Sequence, residues 1–134
     1  MIKVFIDANF FVSLLKEDDV NHQKANSILL EYEKKATVFF TSFYIVDETA
    51  TVLSMRVSKK RASEFLQDIE GLHFPVILSV TETLQEETYQ FFQTVKDKDI
   101  SMIDCYSAML MKEHGISTCL TFDKQFKKMG FQIC

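Results

Sequence analysis

Two apolar runs, Val4-Phe5-Ile6 and Cys119-Leu120-Thr121-Phe122, each stop on an aspartate, Asp7 and Asp123. Both read as buried strands, which puts the two carboxylates at strand carboxyl ends, the edge where open parallel sheets bind ligands. Two further acids stand out by position. Over residues 43–57 the residues Ile45, Val52 and Met55 form an apolar helical stripe, and Glu48 falls in it three residues after Ile45. Its neighbour Asp47 is turned about 100° away, alongside Tyr44, Thr51 and Ser54. Glu48 is therefore expected to be the inward acid. Asp104 follows Ser101 by three residues, inside the first turn of a later helix, among Met102, Ile103 and Cys105.

Each acid has a structural alternative. Ser101-Met102-Ile103-Asp104 is a capping box, with Asp104 favoured by the positive end of the helix. Glu48 pairs with a core Lys or Arg in the bland reading, and Asp7 or Asp123 caps the helix after its strand. Taken together they are four acids on separate elements, with no equally placed basic residues to neutralise them. Two carboxylates about 4 Å apart repel by about 4 kcal/mol at an effective dielectric near 20, so four in one cleft do not all stay ionised unaided. A hard divalent cation resolves this. An oxygen-only donor set without His or Cys favours magnesium or manganese over zinc, and four acids suit two ions, or one ion plus a carboxylate acting as base. Such a site suits phosphodiester hydrolysis.

The elements that must position these acids alternate in type. Residues 2–6 are a strand, and Phe10, Phe11, Val12, Leu14 and Leu15 suit a short helix. Ala25, Ile28, Leu29 and Tyr32 give a second helical stripe, and Val38-Phe39-Phe40 a second strand. Helices follow over 43–57 and 59–70, meeting near Ser58. Pro75 introduces a strand at Val76-Ile77-Leu78, and Thr81 opens a helix with Leu84, Phe91, Phe92 and Val95 on its apolar side. The stretch Lys96-Asp97-Lys98-Asp99 is a loop, Ser101 opens a helix ending at Gly115, and residues 118–122 are a fourth strand. Gly130 separates a short helix from Phe131-Gln132-Ile133. Strand and helix in alternation predict one α/β domain over 1–134, with a mainly parallel central sheet of four to five strands between helices.

A chain of 134 residues can bury a core without staples, and 47% hydrophobic with 25% charged residues is the balance of a soluble globular protein. Three widely spaced cysteines, Cys105, Cys119 and Cys134, argue against a disulfide framework or a zinc site and read as small apolar residues. His22, His73 and His114 lie in unrelated segments and make no ligand pair. Lys3 and Asp7 come too early for a signal-peptide core, and no apolar run approaches the roughly 20 residues of a membrane span, so a cytoplasmic protein without a membrane is expected. A net charge of −4 gives no global attraction to nucleic acid, which leaves local cations to supply it. Arg56, Lys59, Lys60 and Arg61 cluster at a helix junction, and Lys124, Lys127 and Lys128 follow Asp123. A solvated helix face also explains either cluster, and Lys124 is the better candidate because it adjoins a proposed ligand. The many Phe residues fall at core spacing, with no stacking platform for single strands.

Phe5-Ile6-Asp7-Ala8-Asn9, Asp47-Glu48-Thr49, Ser101-Met102-Ile103-Asp104-Cys105 and Leu120-Thr121-Phe122-Asp123-Lys124-Gln125-Phe126 occur in the order seen in PIN-domain nucleases. The chain resembles the VapC type, the ribonuclease toxins of type II toxin-antitoxin pairs, over nearly its whole length. The resemblance implies an α/β/α sandwich in which Asp7, Glu48, Asp104 and Asp123 hold one or two Mg2+ or Mn2+ ions and hydrolyse RNA. It makes Asn9 and Thr121 candidates to hydrogen-bond an acidic ligand or a water at the metal, beside their reading as turn and strand-end residues. Asp99 is a candidate outer acid or an exposed loop charge. A homodimer and a cognate antitoxin are implied as partners. Alternatives are a PIN nuclease of RNA processing or DNA repair, a non-catalytic interaction module, and a magnesium-binding phosphoacceptor regulatory domain. The last expects adjacent acids after the first strand, where this chain has Ala8-Asn9.

Overall fold

The computed structural model describes residues 1–72 and 74–134, so the expectation for His73 lies outside the described residues. Five strands form one sheet: β1 (Ile2–Ile6), β2 (Thr37–Ser42), β3 (Val76–Leu78), β4 (Thr118–Leu120) and β5 (Gln132–Ile133). Their spatial order is β3-β2-β1-β4-β5, and every pairing is parallel. The helices are α1 (Ala8–Leu15), α2 (His22–Glu33), α3 (Phe43–Arg56), α4 (Lys59–Leu72), α5 (Glu82–Thr94), α6 (Met102–Glu113) and α7 (Gln125–Lys128). Right-handed crossovers send the helices between β1, β2 and β3 to one face, and those leading to β4 and β5 to the other. Contacts follow this division, with α1 against α2 and α3, α3 against α4, and α6 against α5 and α7.

The central strand β1 explains the apolar run that opens the chain. Val4, Phe5 and Ile6 are fully buried because helices cover both sheet faces, so the strand has no polar side to alternate with. Phe5 and Ile6 pair with Cys119 and Leu120 of β4, and Phe5 also with Phe40 of β2. This register sets the site. The chain order reverses between β1 and β4, and the crevice at such a switch point opens at the strand carboxyl ends. Asp7 follows β1 directly, its amide donating to the Leu120 carbonyl (3.1 Å), and Asp123 lies three residues past β4.

Some expected details change. The fourth strand ends at Leu120 rather than residue 122, because Thr121 turns its hydroxyl toward Asp7 and Asn9 takes the Phe122 amide. On α3 the core face is Ile45, Val46, Thr49 and Leu53, whereas Met55 is 81% exposed. The stripe through Met55 therefore is not the buried face. On α5 the buried residues are Leu84 and Thr88, and Phe92 is exposed. Cys105 and Cys119 are buried free thiols, as their apolar surroundings predict. Among the described residues, no helix is long and apolar enough to cross a membrane.

Candidate active site

A cleft of about 820 Å³ opens at the carboxyl edge of the sheet, and Asp7, Glu48, Asp104 and Asp123 all line it. Asn9, Asp99 and Lys124 share the lining. Four segments far apart in sequence thus bring their acids to one place.

Asp7 is the most constrained. It is buried and serves as the N-cap of α1, its Oδ1 accepting from the Ala8 amide at 2.9 Å. Its Oδ2 accepts from the Thr121 hydroxyl at 2.9 Å and from Asn9 Nδ2 at 3.3 Å. Burial pushes its carboxyl up to about 7, against the opposing pull of the Thr121 and Ala8 hydrogen bonds; Asp104 and Glu48 add to the rise. The capping reading and the site reading of Asp7 are thus one geometry: the helix start holds the carboxylate at the mouth of the crevice.

Asp104 combines roles in the same way. The capping box is complete, with the Ser101 hydroxyl accepting from the Asp104 amide and Asp104 Oδ2 accepting from the Ser101 amide, each at 3.0 Å. Burial raises its carboxyl above the usual range, opposed by the Ser101 amide and reinforced by Asp123. Asp123 Oδ1 accepts from the Gln125 amide at 3.0 Å, and its own amide donates to Thr121 Oγ1 at 3.0 Å, so it starts the turn into α7.

Glu48 needs a correction. As a residue it is exposed, not inward, because the cleft is open on its side. Its face assignment nevertheless separates it from Asp47, which does not line the cleft. Glu48, Val52 and Arg56 do, at i, i+4 and i+8 along α3. Partial burial of its carboxyl, then the charge of Asp104, raise it above the ordinary value. Glu48→Gln is therefore expected to lower RNA cleavage by at least about tenfold while Asp47→Asn leaves it within twofold. Steady-state rates on the same RNA measure this, and equal losses from the two variants would sink the assignment of faces.

Asn9 and Thr121 do not point free groups into the cleft. They form a clamp between α1 and the end of β4: Asn9 Nδ2 donates to Thr121 Oγ1 (2.9 Å), and Asn9 Oδ1 accepts from the Phe122 amide (3.0 Å). Their expected role as hydrogen-bonders of an acidic ligand is met by Asp7 itself. Asp99 is exposed, and its carbonyl accepts from Gln125 Nε2 at 3.5 Å.

The basic clusters separate. Lys124 and Arg56 line the cleft, while Lys128 is held by Asp97 at 2.7 Å and Arg61 Nε donates to the Leu15 carbonyl at the end of α1. Sequence reasoning missed Asp19 and Ser13 in the cleft wall, where the Ser13 hydroxyl donates to Asp19 Oδ1 at 3.0 Å; the acidic run Glu17-Asp18-Asp19 is the signal that could have found the acid. It also missed Phe122, which lines the cleft and stacks on Phe10 with ring centroids 5.6 Å apart, with the Lys24 ammonium 5.7 Å from its ring centre. An aromatic residue inside a strand-like run carries no mark that distinguishes it from core.

Among the described residues, none of the four acids has a Lys, Arg or His nitrogen within ion-pair distance. Nor do any three converge closely enough in this arrangement to share one ion. The donor chemistry fits a hard divalent cation: oxygen donors led by carboxylates, no imidazole or thiol in the lining, and three carboxyls, Asp7, Glu48 and Asp104, held above their ordinary range chiefly by burial.

Comparison with known proteins agrees with this architecture. A model of the PIN domain matches residues 4–132. The 23S rRNA-specific endonuclease VapC20 of Mycobacterium tuberculosis is 27% identical over 128 residues, covering 96% of this chain and 95% of that protein. The crystal structure of Mycobacterium tuberculosis VapC20, described as a sarcin-ricin loop cleaving toxin, is similar with a TM-score of 0.85 and 25% identity, covering 96% of this chain and 95% of its own. VapBC2 from Rickettsia felis, solved bound to a DNA fragment from its promoter, shares the fold with a TM-score of 0.70 at 15% identity, over 99% of this chain and 98% of its own. FitAcB from Neisseria gonorrhoeae does so at 0.70 and 20%, over 97% and 95%. The α/β/α fold, the order of the four acidic segments and the match over residues 4–132 together establish that the chain belongs to the PIN domain family.

Proposed function

We propose that this protein is a divalent-metal-dependent endoribonuclease, the toxin of a type II toxin-antitoxin pair. The observation that carries the reading is the convergence of Asp7, Glu48, Asp104 and Asp123 from four separate segments on one cleft, none of them, among the described residues, with a protein cation at ion-pair distance. These four residues would hold one or two Mg2+ or Mn2+ ions. When bound, the metal supplies Lewis-acid stabilisation of the charge that develops on the phosphoryl oxygens, and orients the water that attacks phosphorus.

The chain's own residues do the rest. Thr121, Asn9 and the Ala8 amide fix the Asp7 carboxylate, and Ser101 fixes Asp104, so neither acid must be ordered when substrate arrives. Lys124 and Arg56 lie at the cleft wall, where they meet phosphates that the acids alone would repel. Similarity to a 23S rRNA-specific endonuclease makes ribosomal RNA the first substrate class to test. The structural likeness to VapBC2, together with the VapC20 relationship, supports a cognate antitoxin as a partner. A homodimer and a cytoplasmic location belong to the same reading.

The test compares wild type with Asp7→Asn at equal folded concentration. The substrates are single-stranded RNA and a ribosomal stem-loop panel, assayed with Mg2+, Mn2+ or EDTA. Wild type is expected to cut with either metal and not with EDTA, and the variant to lose at least about 100-fold. Equal cutting by both, or no cutting of any RNA with either metal, would overturn the nuclease reading.

A further inference from the structure

We propose that a second groove beside the active-site cleft is a binding track for the phosphate backbone of RNA, continuous with the cleft through Arg56. The inference rests on the nuclease reading above and extends it to how the strand is held.

The groove, of about 620 Å³, lies where the end of α1 meets the α3–α4 junction. Arg56 lines both it and the cleft, while Lys16, Lys60 and Arg61 line the groove alone. The continuity comes from α3, whose cleft-facing line runs Glu48, Val52, Arg56. Eight residues separate the acid from the guanidinium, about 12 Å along the helix. A strand with a phosphate at the acids can therefore run along this line and leave through the groove.

Charge favours RNA as the occupant. The cleft carries Asp7, Asp19, Glu48, Asp99, Asp104 and Asp123 against only Arg56 and Lys124, so a polyanion entering it needs cations beyond its rim. The groove has acids too, Glu17, Asp18 and Glu64, but Asp18 is held by Lys16 at 2.7 Å. Arg61 is partly committed to the Leu15 carbonyl. Among the described residues, Arg56 and Lys60 have no carboxylate within ion-pair distance, and both are exposed. In the other direction, Lys128 is already held by Asp97. Lys124 also has no ion pair among the described residues, so uncommitted cations stand at both ends of the cleft, and those at the Arg56 end continue into a groove through Lys60.

The test is RNA binding in the Asp7→Asn background, which isolates binding from cleavage. Fluorescence anisotropy would follow a labelled 20-nucleotide single-stranded RNA and a labelled trinucleotide at several salt concentrations. Lys60→Glu is expected to weaken the 20-mer about tenfold, to reduce the slope of log affinity against log salt by about 1, and to leave the trinucleotide unchanged. Lys34→Glu, the same charge change at the opposite edge of the sheet, should alter neither. Lys60 and Lys34 are exposed, so both variants should melt like their parent. Unchanged 20-mer affinity, an equal loss with Lys34→Glu, or an equal loss for both RNA lengths would overturn the track; the last would mean that Lys60 acts on RNA at the cleft itself. Cleavage by wild type reports on the nuclease reading separately, so the two failures are distinguishable.

Discussion

In EDTA at pH 8, Asp7→Asn is expected to melt above wild type, by about 5–10 °C, even though it is the variant that loses cleavage. The buried carboxyl is pushed up to about 7 in the folded protein, against an ordinary value of 3.8 in the unfolded chain. Because the folded value is the higher one, the fold prefers the protonated form. Stability is therefore fully present below the unfolded value and is lost as pH rises toward about 7. Above that the wild type carries the whole burden, at most about 4 kcal/mol. Asn removes the charge but sets its own NH2 against the Asn9 Nδ2 donor, so a net gain of about 2 kcal/mol is the expected remainder. At pH 4 the order should reverse, with wild type melting above the variant, because the charge burden is gone and the opposed NH2 groups remain. Millimolar Mg2+ or Mn2+ at pH 8 should raise the wild-type midpoint by mass action and leave Asp7→Asn nearly unmoved. Calorimetry at the two pH values, with and without metal, checks all three. A wild type as stable as the variant in EDTA, with equal metal shifts in both, would show that Asp7 neither bears a buried charge nor binds the ion.

That trade between stability and a charged site also explains what was legible in the sequence. Asp7 and Asp104 were visible because an acid directly after a buried strand, or in the first turn of a helix, has a position that can be read without tertiary information. Glu48 was found by the right period but for an incomplete reason. The stripe through Met55 is not the core face, which is Ile45, Val46, Thr49 and Leu53. Glu48 instead belongs to a line with Val52 and Arg56 that faces open cleft, and a cleft wall and a core wall carry the same periodicity. The parallel sheet followed from the alternation of elements, but the short β4 did not, because its end is set by side-chain bonds from Asn9, more than a hundred residues away. The same is true of Ser13 and Asp19, whose place in the cleft wall depends on how the α1–α2 loop folds back.

Long-range bonds of this kind make Thr121 the residue on which the acidic centre depends without its touching substrate. Its hydroxyl is fully buried, donates to Asp7 Oδ2, and accepts from Asn9 Nδ2 and the Asp123 amide. Thr121→Val preserves the shape and deletes all three bonds. Buried partners left unsatisfied cost about 2–3 kcal/mol, which should appear as a lower melting midpoint. A merely structural role would end there. The hydroxyl also favours the ionised form of Asp7, so its removal raises that carboxyl further above its ordinary range. At neutral pH the Val variant should therefore need about 10–100-fold more Mg2+ for half-maximal cleavage, with the requirement falling as pH rises. Thr121→Ser keeps the hydroxyl and should restore metal dependence and pH profile while leaving some of the stability deficit, since only the methyl is missing. The decisive comparison is the pH dependence of the metal requirement across the three proteins. If Val and Ser lose stability but share the wild-type profile, Thr121 is a packing residue. If Val alone shifts, the strand end that carries it sets the charge state of the acid at the centre of the site.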